Sequence, residues 1–262
     1  MLRITALVKH TPELTGDRRF AADYTLDRQA ESGRLSELDE HTAEQAIKLA
    51  EGAGSGAEVT YVTMGPPAAA EALRKALSMG GDRAVHVSDP SLHGADAHAT
   101  SLVLAQALER LGCDIVVCGM ASTDAGMGAV PSMLAERLGI PQISLASRLS
   151  LDGDHVTIER ETQFATETVE GTLPALVSVT DRTGDARYPS FKGIMAAKKK
   201  QVETWSLADL GIDPSLAGLD GAYTKVLSAT ARPPRESGEI VTDDDGDGAG
   251  RLAAFLSAQK FI

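Results

Sequence analysis

The chain has 262 residues and a formal net charge of −12, with 43% hydrophobic, 24% charged and only 4% aromatic residues. A chain of this length can form one large domain, or a domain with an appendage, whose core needs neither disulfide nor metal. The acidity excludes general binding to nucleic acid or to anionic membranes, and no apolar run approaches the roughly 18 residues of a membrane span, so direct membrane insertion is not expected.

Residues 2–8 read as a buried strand. It is not preceded by a basic and then apolar leader, so the expected location is cytoplasmic. Residues 11–35 are polar and irregular, broken by Pro12, Gly16 and Gly33, and the alternation at 20–26 predicts a strand or hairpin. Ala43, Ile47 and Ala50 form one stripe and predict a helix over 39–51, ended by Gly52, Gly54 and Gly56. Ser36 or Asp39 is placed to cap that helix. A strand over 58–64 turns at Gly65-Pro66-Pro67 into a helix over 68–79, which Gly80-Gly81 stops. A short strand at 83–87 precedes a helix over 97–111, capped by Asp96, with Leu104, Ala107, Leu108 and Leu111 at helical spacing. A strand at 114–118, a glycine-rich loop at 119–130 and a helix over 131–138 follow; Pro131 is tolerated in a first helical turn. Strands alternating with helices of this length predict an α/β fold, a mainly parallel sheet flanked by helices.

The second half changes character. Residues 143–151, 155–160 and 162–169 are rich in Thr, Val and Glu, with Asp152-Gly153 as a hairpin turn. Residues 173–179 form a strongly apolar strand suited to the main sheet; 194–200 predict a helix or turn, and 202–205 follow. Beyond 207 the periodicity weakens, with Pro214, Pro233 and Pro234 interrupting it. Residues 243–250 form an acidic, glycine-rich hinge, and 251–261 a short amphipathic helix with Leu252, Phe255 and Leu256 on one side. Such a C-terminal arm suits folding back on its own domain and clasping a partner equally. The expected division is a nucleotide-binding α/β domain over 1–210 and a C-terminal extension over 211–262.

Catalytic groups are scarce. The histidines form no HxH or HExxH pattern, and His93 and His98 read as solvent-facing. No GxSxG elbow or Cys–His context is present. Cys113 and Cys118 flank an apolar run, and side chains five apart on a strand face opposite ways, so they read as core thiols in a reducing compartment. The run DDDGDG at 243–248 lacks the closing glutamate of a calcium loop. No catalytic or metal-ligating set is expected.

Binding signals are stronger. GMASTDAGMGAVP at 119–131 lies between a strand and a helix, at the carboxyl end of the sheet where α/β proteins bind ligands. Gly119, Gly126 and Gly128 allow close approach of the backbone, Ser122 and Thr123 offer hydroxyls, and Asp124 is suited to a sugar hydroxyl or a turn cap. The loop is neither a Walker A motif nor a dinucleotide fingerprint, and a connection without ligand is an equal reading. Gly65 after the second strand and the carboxylates at 36–40 are weaker candidates of the same kind. Residues 187–200, RYPSFKGIMAAKKK, form a basic island in an acidic chain. They read either as a solvated face or as a docking site where Phe191 anchors and the lysines steer an acidic partner.

The run TLPALVSVTDRTGDARYPSFKGIMAAKKK at 172–200 resembles the signature of the electron transfer flavoprotein beta subunit, and 119–139 and 76–84 resemble further parts of it. The likeness extends over residues 2–210. It implies an adenine nucleotide alpha hydrolase-like fold and a heterodimer with an alpha subunit that holds most of the FAD. In that family the beta subunit buries a structural AMP. Electrons arrive from acyl-CoA and other primary dehydrogenases and pass to a quinone oxidoreductase. The resemblance places Leu7, Ser36, Leu38, Asp39, Met64, Gly119, Ser122, Thr123, Asp124, Gly126, Met127, Gly128, Ala129 and Val130 in the AMP pocket. It places Arg187, Tyr188, Phe191, Lys192, Ile194, Met195, Lys198, Lys199 and Lys200 at the docking surface. Two departures stand out: the family's Asn-Pro at the first helix is Ser36-Glu37, and its Thr-Gly-Gln is matched by Ala125-Gly126-Met127, which shifts phosphate binding towards backbone N–H groups. Competing readings are a bifurcating subunit with its own FAD and a stand-alone nucleotide-binding module. The expected role is electron transfer without bond-making residues in this chain.

Overall fold

The computed structural model describes every residue except 14–18, 29–32, 231, 234–237 and 239. Part of the irregular segment 11–35, Gly16 included, and Pro234 therefore lie outside the described residues. In chain order the elements are β1 (Leu2–Leu7), β2 (His10–Pro12), β3 (Gly33–Leu35), α1 (Glu37–Ala53), β4 (Ala57–Met64), α2 (Ala70–Met79), β5 (Arg83–Val87), α3 (Ala97–Leu111), β6 (Ile115–Gly119), α4 (Val130–Leu138), β7 (Gln142–Asp152), β8 (His155–Glu161), β9 (Thr166–Thr172), β10 (Ala175–Val179), α5 (Phe191–Ala197), β11 (Val202–Trp205) and α6 (Gly248–Ala258).

Apart from β2 and β3, which pair across the segment expected to be irregular, the elements from β1 to α4 follow the hydrophobic periodicity closely. Asp96 caps α3 as expected, accepting from the Ala99 N–H at 2.9 Å, and Gly112 ends the helix in the left-handed region. Pro131 sits in the first turn of α4. The cap expected for α1 does not form. Ser36 makes no side-chain cap bond, and the Asp39 carboxylate turns away to accept the Lys9 N–H at 2.8 Å.

One nine-stranded sheet has the order β11-β5-β4-β1-β6-β10-β7-β8-β9. From β11 to β7 every neighbour is parallel. The four strands expected from the first half are thus extended on both sides. The apolar strand β10 enters between β6 and β7, and β11 adds beside β5, with Val202 opposite Ala84. β8 and β9 continue the sheet antiparallel. The Asp152-Gly153 turn forms between β7 and β8, with Asp152 opposite His155. The last hairpin differs from expectation. Its strand begins at Thr166 because 162–165 form the turn, in which Thr162 Oγ1 accepts from Ala165 N at 3.0 Å.

Parallel strands bury both faces, so neighbouring residues on one strand serve different cores. Ile115 and Val117 of β6 join Ile4, Ala6, Val59 and Tyr61 under α1 and α2. Val116 and Cys118 point the other way, to Leu104, Leu108 and Leu134 under α3 and α4. Both cysteines are free thiols. Leu207, Leu210, Ile212 and Ala217, where sequence periodicity fades, are buried in the second core. The chain divides into compact units Met1–Leu227 and Ser228–Ile262. In the second, α6 leaves Leu252 and Phe255 exposed. Among the described residues no helix is long and apolar enough to cross a membrane.

Candidate functional site

β1, β4 and β6 lie side by side in parallel, so the residues after each emerge at one edge. That edge gathers Lys9 after β1, Met64 and Gly65 at the end of β4, and the loop after β6. The loop is tied back by Met120 N–H to the Val179 carbonyl at 2.9 Å and turns through Gly126 N–H to the Ser122 carbonyl, also 2.9 Å.

Asp124 is the hub. Its side chain is only 2% exposed, and it receives Lys9 Nζ and Arg28 Nη2, each at 2.8 Å. Lys9 Nζ also reaches Ser122 Oγ at 3.2 Å, and Arg28 Nη1 donates to the His10 carbonyl at 3.1 Å. Burial works against ionisation of Asp124, but Lys9 and Arg28 outweigh it and hold the carboxyl well below the usual range. The carboxylate also accepts the Ala125 N–H at 2.8 Å, the turn-cap role read from the sequence. Two cations against one buried anion leave a positive balance, and Lys9 and Arg28 keep 37% and 30% of their side-chain surface. The repulsion that Asp124 would offer a phosphate is therefore neutralised.

Asp39 lies behind this cluster. It accepts Lys9 N–H and faces Gly119, whose hydrogen leaves room where a Cβ would stand 2.6 Å from Asp39 Oδ1. Burial first, and the charge of Asp124 second, push the Asp39 carboxyl up to about 7, against the opposing pull of the Lys9 and Gly119 N–H groups and the Lys9 charge. Ser36 Oγ is buried without a hydrogen-bond partner among the described residues, and Leu7 is buried at the same edge. Leu38, Met64, Thr123, Ala129 and Val130 are half-buried, and Thr123 Oγ1 meets Thr11 Oγ1 at 3.1 Å. Gly126, Met127 and Gly128 are exposed, and both glycines hold positive φ. The structure thus gathers the expected Ser122, Asp124, Asp39 and Gly119. It adds Lys9 and Arg28, which pattern reading missed. Lys9 had one usable signal, its place just past the first strand.

The second region divides the basic island by role. Tyr188 is 94% and Phe191 81% exposed. Ile194, Met195, Lys192, Lys198 and Lys199 are exposed too. Ser190 caps α5, accepting the Gly193 N–H at 3.0 Å. Gly193 lies against α2, since a Cβ there would stand 2.4 Å from the Ser78 carbonyl oxygen. Arg74 Nη1 donates to the Ala197 and Lys200 carbonyls at 2.7 and 2.8 Å, and Lys200 Nζ donates to the Gly81 carbonyl at 2.6 Å. Each helix end is capped by a cation from the other segment. Arg187 and Lys200, expected at the docking face, make internal bonds. Arg74, Lys75, Ser78, Ile194, Ala197 and Lys198 line a shallow basic groove of ≈ 450 Å³ beside the exposed residues.

Among the described residues no group of His, Cys, Asp and Glu could hold a metal ion. In the 243–248 run, Asp243 Oδ1 accepts the Gly248 N–H at 2.8 Å. His93 is exposed as expected and pairs with Asp23 at 2.7 Å. His98 is half-buried, where a solvent-facing ring is expected: it packs on Tyr223, centroids 4.1 Å apart, because the segment after Ala217 returns to the start of α3, where the Tyr223 N–H donates to Asp96.

The chain matches the family model described as "Electron transfer flavoprotein domain" over residues 23–210. It is 43% identical over 267 residues to the electron transfer flavoprotein subunit beta of Mycobacterium tuberculosis, with all of both chains covered. The corresponding subunit of Thermoanaerobacterium thermosaccharolyticum is 33% identical over 262 residues, again with full coverage. The Caffeyl-CoA reductase-Etf complex subunit CarD of Acetobacterium woodii is 30% identical over 263 residues and equally covered.

Proposed function

This chain belongs to the electron transfer flavoprotein beta-subunit family, an electron-transfer partner in a heterodimer with an alpha subunit, and from that premise we propose a two-part role. One part buries AMP at the edge formed by β1, β4 and β6. The other docks acyl-CoA and other primary dehydrogenases through Tyr188, Phe191 and the surrounding lysines. Electrons then pass through FAD, held mainly by the alpha subunit, towards a quinone oxidoreductase.

The donor set fits a phosphate-bearing nucleotide. Lys9 and Arg28 supply positive charge beyond what Asp124 cancels, the exposed glycine loop supplies backbone N–H groups, and Ser36 Oγ is an unused buried donor. Bound AMP stabilises the native state alone and so acts as a folding ligand. FAD supplies the redox chemistry when bound, and this chain shapes one wall around it and orients partners. An adenine nucleotide alpha hydrolase-like description of the fold belongs to the same reading.

The observation that carries the docking role is the exposed pair Tyr188 and Phe191, just before and at the start of the basic helix α5, in a chain with net charge −12. Apolar anchors ringed by charge suit fast, transient encounters. The test is the heterodimer carrying Phe191→Ala, assayed with an acyl-CoA dehydrogenase. KM for the dehydrogenase should rise about tenfold, as for loss of a modest interface anchor, with assembly and flavin content normal; unchanged kinetics would refute the anchoring role. The competing reading is a second FAD in place of AMP in the same pocket. A colourless isolated chain that releases AMP on denaturation excludes it, and flavin absorbance would establish it.

A further inference from the structure

We propose that Arg187 is a positioning residue, which locks the docking loop into its presenting conformation before any partner arrives. The inference rests on the docking role of Phe191 for its functional consequence, while the lock itself is a property of this chain alone.

The geometry is that of a guanidinium held on two sides. Nε and Nη2 of Arg187 reach the two oxygens of Glu44 at 2.7 and 3.1 Å. Nη1 and Nη2 reach the two oxygens of Glu51 at 2.7 and 3.0 Å. The Arg187 backbone N–H adds a fifth bond, to Glu44 Oε2 at 3.1 Å. Both carboxylates stand on α1, seven residues apart, so two helical turns present them to one side chain. Two bidentate pairs use the planar fork of arginine in a way lysine cannot reproduce. Glu44 is 4% exposed at its side chain, so its charge needs cationic partners, of which Arg187 is the hydrogen-bonded one and Lys48, at 3.6 Å, the second; Glu51 at 59% is the open end of the clamp.

The segment before Arg187 is tied to the same helix: Gln45 Nε2 donates to the Thr183 carbonyl at 3.1 Å, and His41 Nδ1 lies 3.0 Å from the Gly184 carbonyl oxygen. The next tie begins at the Ser190 cap of α5. Tyr188 projects from the short span between these anchors and Phe191 from the first residue past the second, both highly exposed. An exposed apolar pair on a loose loop loses conformational freedom when it docks, and a loop fixed beforehand does not. A rival reading has Arg187 meeting the acidic partner directly. The two differ in what the glutamates do: they are essential to a lock, and they compete with a direct contact.

The test uses the heterodimer with Arg187→Gln, Arg187→Lys, Glu51→Gln and, as reference, Phe191→Ala. Hydrogen exchange at 183–190 is read alongside KM and kcat with an acyl-CoA dehydrogenase. Arg187→Gln and Glu51→Gln should both speed exchange in that segment, by about tenfold or more and a few-fold respectively. They should raise KM with kcat within about twofold, and Arg187→Lys should recover part of the loss. Glu51→Gln removes only the exposed carboxylate, so it remains informative if Arg187→Gln does not fold. Phe191→Ala should raise KM and leave exchange unchanged. Unaltered exchange in both Arg187→Gln and Glu51→Gln would overturn the lock. A raised KM in Arg187→Gln with normal or lowered KM in Glu51→Gln would assign Arg187 to direct contact and overturn it as well. If Phe191→Ala leaves KM unchanged, the docking reading fails by itself, and exchange at 183–190 still decides the lock.

Discussion

Asp39 offers the sharpest physical test, because its ionisation is set by a site that only the fold creates. Its carboxyl is raised from 3.8 to about 7 by burial and by Asp124. The unfolded chain therefore loses this proton near pH 4, while the native state keeps it until near pH 7. Between those limits the native state binds more protons, so raising the pH weakens folding at this site. A rise of about three units at about 1.4 kcal/mol each sets an upper bound of about 4 kcal/mol. Most of it, about 3 kcal/mol, is lost between pH 5 and 8. Asp39→Asn removes the titration. It also presents an amide to the N–H groups that the carboxylate accepts, a cost that does not vary with pH. Buried His10 and His86 have lowered pKa values and tilt stability the opposite way, rising with pH, but they are common to both proteins and cancel in the difference. Thermal unfolding of the nucleotide-free chain at pH 5 and 8 should show the wild type losing roughly 6–12 °C relative to Asp39→Asn. A constant difference between the two proteins across that range would refute the reasoning and show Asp39 titrating as an ordinary carboxylate.

Three further outcomes follow from the same geometry. Lys9→Gln leaves buried Asp124 with Arg28 as its remaining cation, so stability should fall by about 1–3 kcal/mol and nucleotide released on denaturation should drop well below one per chain; full retention would remove Lys9 from the site. Gly119→Ala drives a methyl to 2.6 Å from Asp39 Oδ1, and the overpacking should cost about 1–3 kcal/mol with loss of nucleotide, both measured on the purified chain. Ser190→Ala removes the cap of α5 and should lower the melting temperature by roughly 2–4 °C, for a cap of about 1 kcal/mol.

Much of this architecture was legible along the chain. Spacing of apolar residues located α1 to α4 and the strands between them, and glycine and proline marked their ends, because periodicity and turn chemistry act over a few residues. The run at 187–200 carried the family resemblance, and the family match over 23–210 bears it out. The position of β10 within the sheet, and of β11 at its edge, depended on contacts across the chain that no local pattern encodes. The same holds for the sites. Asp124 meets Lys9 and Arg28 across 115 and 96 residues of sequence, and Arg187 meets Glu44 and Glu51 across 143 and 136. The sequence by itself marked the helices α1 to α4, most strands of the main sheet and the residue types that stand at the loops, but not the short β2 and β3 pair or the turn at 162–165. Only the tertiary structure decided that Asp39 is buried, that Asp124 is neutralised, and that Arg187 faces inward while Phe191 faces out, since burial and ion pairing are set by which strand ends and helix faces the topology brings together.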